Sequence, residues 1–326
     1  MIPLGPRDPG PVRPDPARLP HGSTTRFAPA PTGYLHLGHL VNAIYTWGIA
    51  RSTGGRVVLR IEDHDRQRCR PAYETALLDD LEQVGLVPDR PSLDELRAGP
   101  SPFRQADDDR PYREAVERLR AAGLVYACEC SRATYAAWAR ATGRRFAGPG
   151  CPGACRDRRV VESHETGLRA TLVPGDEPFD DLLLGARRGP AASDGDLLIR
   201  DRHGNWTYHL CVVVDDARHG VDLVVRGRDL LDATPCQIRL GRLLGRATPP
   251  AWLHHPLLRK PSGAKLSKAD QDTAIRDLLA AGHAPADLLG FAAAAVGLLE
   301  SPRPIAAARL GDLFARGHPG SSILSG

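Results

Sequence analysis

The chain has 326 residues, 42% of them apolar and 25% charged, with a formal net charge of +4 and a pI near 8.7. The apolar share excludes wholesale disorder, and the length fits one large domain with appendages or two to three domains. No apolar run reaches the ~20 residues of a membrane span, and no basic-then-apolar leader opens the chain, so a cytosolic protein is expected.

Residues 1–23 hold seven prolines among Arg, Asp and Gly and read as a disordered or extended tail. Thr25–Ala28 reads as a short strand and Pro29–Gly33 as a loop. From His39 to about Arg51 the spacing of Leu40, Ala43, Ile44 and Trp47 predicts a helix, ended at Gly54–Gly55. Arg56–Ile61 reads as a strand, and Thr75–Val84 and Pro111–Ala122 as helices. This alternation predicts an α/β fold with a parallel sheet covered by helices. The pattern breaks near Tyr126. Residues 156–195 read as irregular, with a short strand at Gly167–Leu172. Leu197–Arg200, Leu210–Asp215 and Val221–Arg226 read as strands, and Thr234–Leu244 as a helix. Arg259–Ala269 is a polar loop, Thr273–Leu299 an Ala/Leu-rich helical region, and the last dozen residues read as frayed.

Seven cysteines, an odd number without an export signal, argue against a disulfide framework. Four of them form two close pairs, Cys128-x-Cys130 and Cys151-x-x-x-Cys155. Four thiolates in that arrangement suit tetrahedral zinc, the alternative being a coincidental set of free thiols. Cys69, Cys211 and Cys236 are scattered and read as small core residues.

Two further motifs carry chemistry. In Arg26-Phe-Ala-Pro-Ala-Pro-Thr-Gly-Tyr-Leu-His-Leu-Gly-His39 a strand ends, a Pro/Gly loop turns, and two histidines open a helix. A helix N-terminus is a ready phosphate site, and His36 and His39 share a helix face. The alternative is an ordinary join with two surface histidines. Zinc on both is disfavoured, because no Glu follows the first in the HExxH manner. The second motif is Lys265-Leu-Ser-Lys268. Only three of the 43 Lys and Arg residues are lysines, Lys260, Lys265 and Lys268, all within nine residues. Where arginine fills every other basic position, this clustering points to a stretch that needs an ammonium. A solvated basic loop is the alternative.

HLGH at His36–His39 followed by KLSK at Lys265–Lys268 resembles the HIGH and KMSKS signatures of class I aminoacyl-tRNA synthetases. Arg26–Gly33, Leu59–Asp65, Tyr208–Asp216 and Val225–Leu230 are similar to the glutamyl branch. The resemblance covers about Thr24 to Val296. Full glutamyl enzymes continue well past the KMSKS loop into an anticodon-binding region, whereas here the chain runs only from Lys268 to Gly326. The closer resemblance is therefore to the truncated glutamyl-Q tRNA(Asp) synthetases.

That resemblance implies a Rossmann-like catalytic domain in two halves, 24–115 and 196–270, around a zinc-bearing insertion, 116–195, and a short helical region, 271–326. It implies activation of L-glutamate with ATP and Mg²⁺, then transfer to the queuosine base in the anticodon stem-loop of tRNA(Asp), by a monomer. The alternatives are charging of a tRNA 3′ end and a non-catalytic RNA-binding module. His36, Gly38, His39 and Lys268 would hold ATP, with Lys265 and Lys268 closing over the departing pyrophosphate. A substrate with two carboxylates and an ammonium needs opposite charges around it. Arg26 and Arg226 are candidates for the carboxylates, Glu62 for the ammonium, and Tyr208 for the wall. Family matching adds Phe27, Ala28, Pro29 and Ala30. Glu62 could instead pair with Arg60 or Arg66, and Arg226 with Asp229 or Asp222. The chain departs from the family at Ala30, usually Ser, at His209, often Asn or Gln, and at Cys151, often Tyr.

Overall fold

A computed structural model describes residues 4–143, 151, 153–192, 195–264 and 273–315. Two parallel strand pairs, each with a helical crossover, stand side by side. In the first, β1 (Thr24–Phe27) pairs in parallel with β2 (Arg56–Leu59), and α1 (Leu37–Ser52) connects them. A parallel pair requires such a crossover. α1 is buried along nearly its whole length, from Leu37 to Ala50, as befits a helix enclosed between the sheet and the C-terminal helices. Gly48 lets the C-terminal segment come this close, since a Cβ there would lie 2.4 Å from the Phe314 ring.

After β2 come α2 (Pro71–Val84), α3 (Leu93–Ala98) and α4 (Arg110–Ala121). β3 (Val125–Cys128), α5 (Arg132–Thr142) and the short α6 (Ala154–Asp157) lead to β4 (Gly167–Ala170). A hairpin follows, β5 (Asp176–Asp181) and β6 (Gly185–Pro190), then β7 (Leu197–Arg200) and α7 (Tyr208–Arg218). In the second parallel pair, β8 (Leu223–Gly227) runs beside β9 (Ala251–His255), with a 3₁₀ turn at Arg228–Ala233 and α8 (Thr234–Leu243) between them. β8 also lies against β1, where the Asp222 amide donates to the Thr24 carbonyl at 3.0 Å. α9 (Ile275–Ala280), α10 (Pro285–Ala295) and a 3₁₀ turn (Ala307–Leu313) complete the described chain. None of the described helices is long and apolar enough to cross a membrane.

The α/β class and parallel pairing agree with the sequence reading, but three expectations need correction. Leu210–Asp215 is not a strand but the middle of α7. Its run of apolar residues reflects burial in the core shared with α4, β4 and β7, and a helix buried on several sides loses its periodic signal. The expected boundary at 195 also fails. β7 completes the antiparallel sheet β3-β4-β7, whereas the β5–β6 hairpin joins the catalytic sheet through Asp181 opposite Trp252. Finally, residues 4–23 are packed, not disordered. Leu19 is buried, and Arg7 and Arg13 donate to the carbonyls of Ala294, Leu298 and Leu313. A proline-rich segment has fewer unfolded conformations to lose, and it docks through side-chain bonds that leave no periodic pattern.

Candidate active site

The start of α1 is built by its own histidines. His36 is the N-cap, and its Nδ1 accepts from the Gly38 amide at 3.1 Å. His39 reaches back, its Nδ1 accepting from the His36 amide at 3.0 Å. This is a reciprocal capping box made from two imidazoles. Because both Nδ1 atoms accept, the proton of each neutral ring sits on Nε2, which makes each Nε2 a donor. The rings lie 4.0 Å apart. His36 is 8% exposed, so it is not a surface residue.

Both histidines and Gly38 line a cavity of about 440 Å³. The end of β1 and its loop supply Arg26, Phe27, Ala28, Pro29 and Ala30 to the same cavity. Glu62, Tyr208 and Arg226 complete the set expected from sequence, arriving from beyond β2, from α7 and from β8. Lys265 and Lys268 lie outside the described residues.

Charges beneath the cavity are locked together. Arg60, fully buried, donates to Glu62 Oε1 at 2.8 Å and to Asp216 Oδ1 at 2.7 Å. Of the two partners considered for Glu62, Arg60 is the one bonded, and Glu62 still lines the cavity. Arg26 holds Asp216 at 3.3 Å and donates to the Val225 carbonyl at 2.9 Å. Burial alone would raise the Asp216 carboxyl, but Arg26 and Arg60 hold it below the usual carboxylate range.

Arg226 is different. It is 3% exposed, and its partners among the described residues are all uncharged. Its Nε donates to His254 Nε2 at 2.9 Å, and its terminal nitrogens donate to Gln237 Oε1, Thr234 Oγ1 and the Leu230 carbonyl at 2.7, 2.8 and 3.1 Å. Its plane lies 4.7 Å from the Trp252 ring centre. The ion pairs with Asp229 or Asp222 considered from sequence are not formed. Burial lowers its pKa, with the Tyr208 hydroxyl opposing. A buried guanidinium held by neutral groups at a cavity wall is a seat for an anion.

Sequence reasoning missed Asp216, Asp181 and His254 in this supporting shell, and named Arg60 only as an alternative partner of Glu62. Two signals existed, a pair of aspartates inside an apolar run (Asp215, Asp216) and a His-His pair ending an apolar strand (His254, His255).

The four clustered cysteines also come together. Their sulfurs all lie within 4.8 Å of one another, with Cys130 Sγ 3.3 Å from Cys155 and 3.9 Å from Cys151. Zn–S bonds of ≈ 2.3 Å in a tetrahedron put sulfurs about 3.8 Å apart, so the set fits a metal. Buried Arg169 donates to Cys128 Sγ at 3.1 Å, and a hydrogen bond from Cys128 pulls Cys151 down to about 4. The Arg169 guanidinium favours the thiolate a metal needs, whereas the bond between Cys128 and Cys151 lowers Cys151 and raises Cys128, one proton being shared between them. Cys69, Cys211 and Cys236 stand apart from this group.

The sequence model of the family "tRNA synthetases class I (E and Q), catalytic domain" matches residues 23–294. A glutamyl-Q tRNA(Asp) synthetase of Symbiobacterium thermophilum is 42% identical over 299 residues, covering 89% of this chain and 91% of the relative. A second, from Rhodobacter capsulatus, is 39% identical over 287 residues, covering 81% of this chain and 97% of the relative. A glutamate tRNA ligase structure from Elizabethkingia meningosepticum, in complex with its amino acid, superposes with a TM-score of 0.72 at 24% identity and shares the fold. The chain covers 64% of that structure's length. By these matches the chain belongs to the class I tRNA synthetases of the glutamyl and glutaminyl branch, in the group of glutamyl-Q tRNA(Asp) synthetases, and is a ligase.

Proposed function

We propose that this ligase activates L-glutamate with ATP and transfers it to the queuosine base in the anticodon of tRNA(Asp), without charging the tRNA 3′ end. The names of its relatives support the acceptor. The observation that carries the amino-acid half is Arg226, a buried guanidinium with uncharged partners on the same cavity as the His36–His39 helix start.

In this reading the glutamate α-carboxylate attacks the α-phosphate of ATP, and pyrophosphate leaves. A hydroxyl of the modified base then attacks the mixed anhydride, and AMP leaves. No protein nucleophile is needed, so catalysis is positioning and stabilisation of phosphate charge. The Nε2–H groups of His36 and His39 donate to the nucleotide at the positive end of α1. Arg26 and Arg226 take the carboxylates, Glu62 takes the ammonium, and Tyr208 walls the pocket. Phe27, Ala28, Pro29 and Ala30 run along the substrate. Lys265 and Lys268 draw charge off the pyrophosphate, and Mg²⁺ accompanies ATP. Zinc on Cys128, Cys130, Cys151 and Cys155 supplies structure in place of a local core. The protein acts as a cytosolic monomer on the anticodon stem-loop.

A glutamylation assay decides the acceptor. Labelled glutamate should enter tRNA(Asp) that carries queuosine, and not the same tRNA without it. Transfer to the 3′ end of tRNA(Glu) would overturn this reading.

A further inference from the structure

The family match begins at residue 23, yet residues 5–13 are tied to the walls of the cavity. Asp8 is the knot. It is 8% exposed, and its Oδ1 accepts from Arg259 Nε at 2.9 Å and from the same guanidinium's Nη2 at 2.7 Å. Its Oδ2 lies 3.4 Å from the Leu257 amide and 3.6 Å from Arg228 Nη1. One carboxylate thus joins two segments that come from different strands. Arg228 opens the turn after β8, and Arg259 follows β9.

The backbone of the same stretch repeats the link. Arg228 also donates to the carbonyls of Pro9 and Pro11, and the Gly5 amide donates to the Arg259 carbonyl at 2.8 Å. A Cβ on Gly5 would lie 2.1 Å from the Lys260 carbonyl oxygen, so the approach is close enough to require glycine. Tyr45 of α1 donates to the Val12 carbonyl and stacks on His255, with centres 5.1 Å apart.

These segments reach the cavity at one end. Gly227, Asp229, Leu257 and Leu258 line it. His255 Nε2 lies 3.0 Å from the Asn42 side-chain amide, close along α1 from His39. The strap therefore braces Gly227, Asp229, Leu257 and Leu258 and, through His255 and Asn42, the first turns of α1. Arg26 and Glu62, in contrast, are held by the network around Arg60, and Arg226 is aimed chiefly by His254, Gln237 and Thr234, with one further bond to the Leu230 carbonyl in the strapped turn.

We propose that residues 5–13 form a strap outside the family's catalytic domain, and that Asp8 is a positioning residue for the nucleotide end of the cavity. Arg228 and Arg259 are two cations held toward one anion. With Asp8 neutralised they lose the charge that draws them together, and the wall between Gly227 and Leu258 loosens. Misplacement on the scale of 1 Å costs up to about a hundredfold in a positioned site. This inference rests on the ATP-dependent reading above.

The test uses full-length Asp8→Asn, with Gly5→Val as a second variant that alters no polar side chain but forces the strap's backbone away from Lys260. Steady-state pyrophosphate exchange gives separate KM values for ATP and glutamate, and calorimetry with ATP alone gives its affinity. In both variants KM and Kd for ATP should rise about tenfold or more, while KM for glutamate stays within about twofold. Equal rises in both KM values, or a lower melting temperature with unchanged kinetics, would make Asp8 a merely structural residue and overturn the proposal. Wild-type protein that binds ATP but does not activate glutamate would remove the amino-acid reading, and ATP affinity in the two variants would still decide the strap.

Discussion

Arg226 and His254 are joined Nε to Nε2 at 2.9 Å, and the other ring nitrogen of His254 lies 2.6 Å from Asp181 Oδ2. An arginine cannot accept, so His254 Nε2 must, and its proton sits on Nδ1 facing Asp181. Asp181 also accepts the His254 amide at 3.1 Å and, through Oδ1, the amides of Leu183 and Leu184 at 3.0 and 2.8 Å. Every oxygen of that carboxylate is thus an acceptor. In Asp181→Asn, one side of the amide becomes a donor facing another donor, and the imidazole is driven to the tautomer that points N–H at Arg226. KM for glutamate should rise about tenfold in pyrophosphate exchange, with KM for ATP nearly unchanged. Similar rises in both would place the effect in folding and not in the aim of Arg226.

The buried guanidinium should also set the choice of amino acid. Glutamine offers it no anionic side chain, and leaving a buried charge unpaired costs about 2 kcal/mol or more, roughly thirtyfold. Exchange should therefore favour glutamate over glutamine by at least about that factor. Arg226→Ala should raise the glutamate KM by a similar amount and erase the preference. Equal exchange with both amino acids in the wild-type protein would refute the assignment.

At the helix start, a Cβ on residue 38 would lie 2.9 Å from Cε1 and 3.0 Å from Nδ1 of His36. Gly38→Ala should push the imidazole off the cap and break the reciprocal bonds. A lost N-cap costs about 1 kcal/mol, so the protein should still fold with a melting point lowered by a few degrees. Adenylate formation should fall far more, because both Nε2 donors lose their fixed direction. A variant with normal exchange rates would show that the histidines need no cap.

Purified protein prepared without chelator should contain one zinc per chain. Cys155→Ser should lose it, and hydrogen exchange should then accelerate over 125–170 while β1, β2, β8 and β9 keep their protection. Metal-free wild-type protein with unchanged exchange would remove zinc from the account.

How much of this was legible in the sequence depended on range. α1, α2 and α4 were readable because each shows a stripe or a punctuating Gly or Pro, and Arg26, Glu62 and Arg226 were singled out because they lie in the resembled motifs and carry charges opposite to those of the implied substrate. α7 misread as a strand because its apolar run serves two sides, and the signal that would have corrected it, Asp215 and Asp216, makes sense only once Arg60 and Arg26 are seen beside them. Asp8 and Asp181 were invisible. Their partners, Arg259 and His254, are 251 and 73 residues away, and no local pattern encodes a pairing at that distance.

The buried histidines make acid stability a signed test. Burial lowers His209, His219 and His255 to about 4 each, and lowers His254 as well. In the unfolded chain a histidine titrates near 6.5. Between about pH 6.5 and 4 the unfolded state therefore binds protons that the folded state refuses, and stability falls as pH is lowered. Three carboxylates act in the opposite sense, Asp63, Asp80 and Asp196, all raised by burial. Burial raises Asp63 and Asp80 to about 6 from an ordinary 3.8, so from about pH 6 to 4 the folded state takes up protons first and gains relative stability. Four histidines outweigh three aspartates, so the melting temperature should drop from pH 7 to pH 5. His219→Gln isolates one contribution: it lies away from the cavity, with Nε2 3.2 Å from the Pro102 carbonyl, a contact a glutamine amide can supply. The variant should show a shallower fall, by up to about 1.4 kcal/mol for each unit of the shift removed. Asp80→Asn removes an opposing group and should steepen it. Melting curves between pH 7 and pH 5 that rise for the wild-type protein, or that coincide for wild type and His219→Gln, would show that these histidines are not buried neutral in the folded chain.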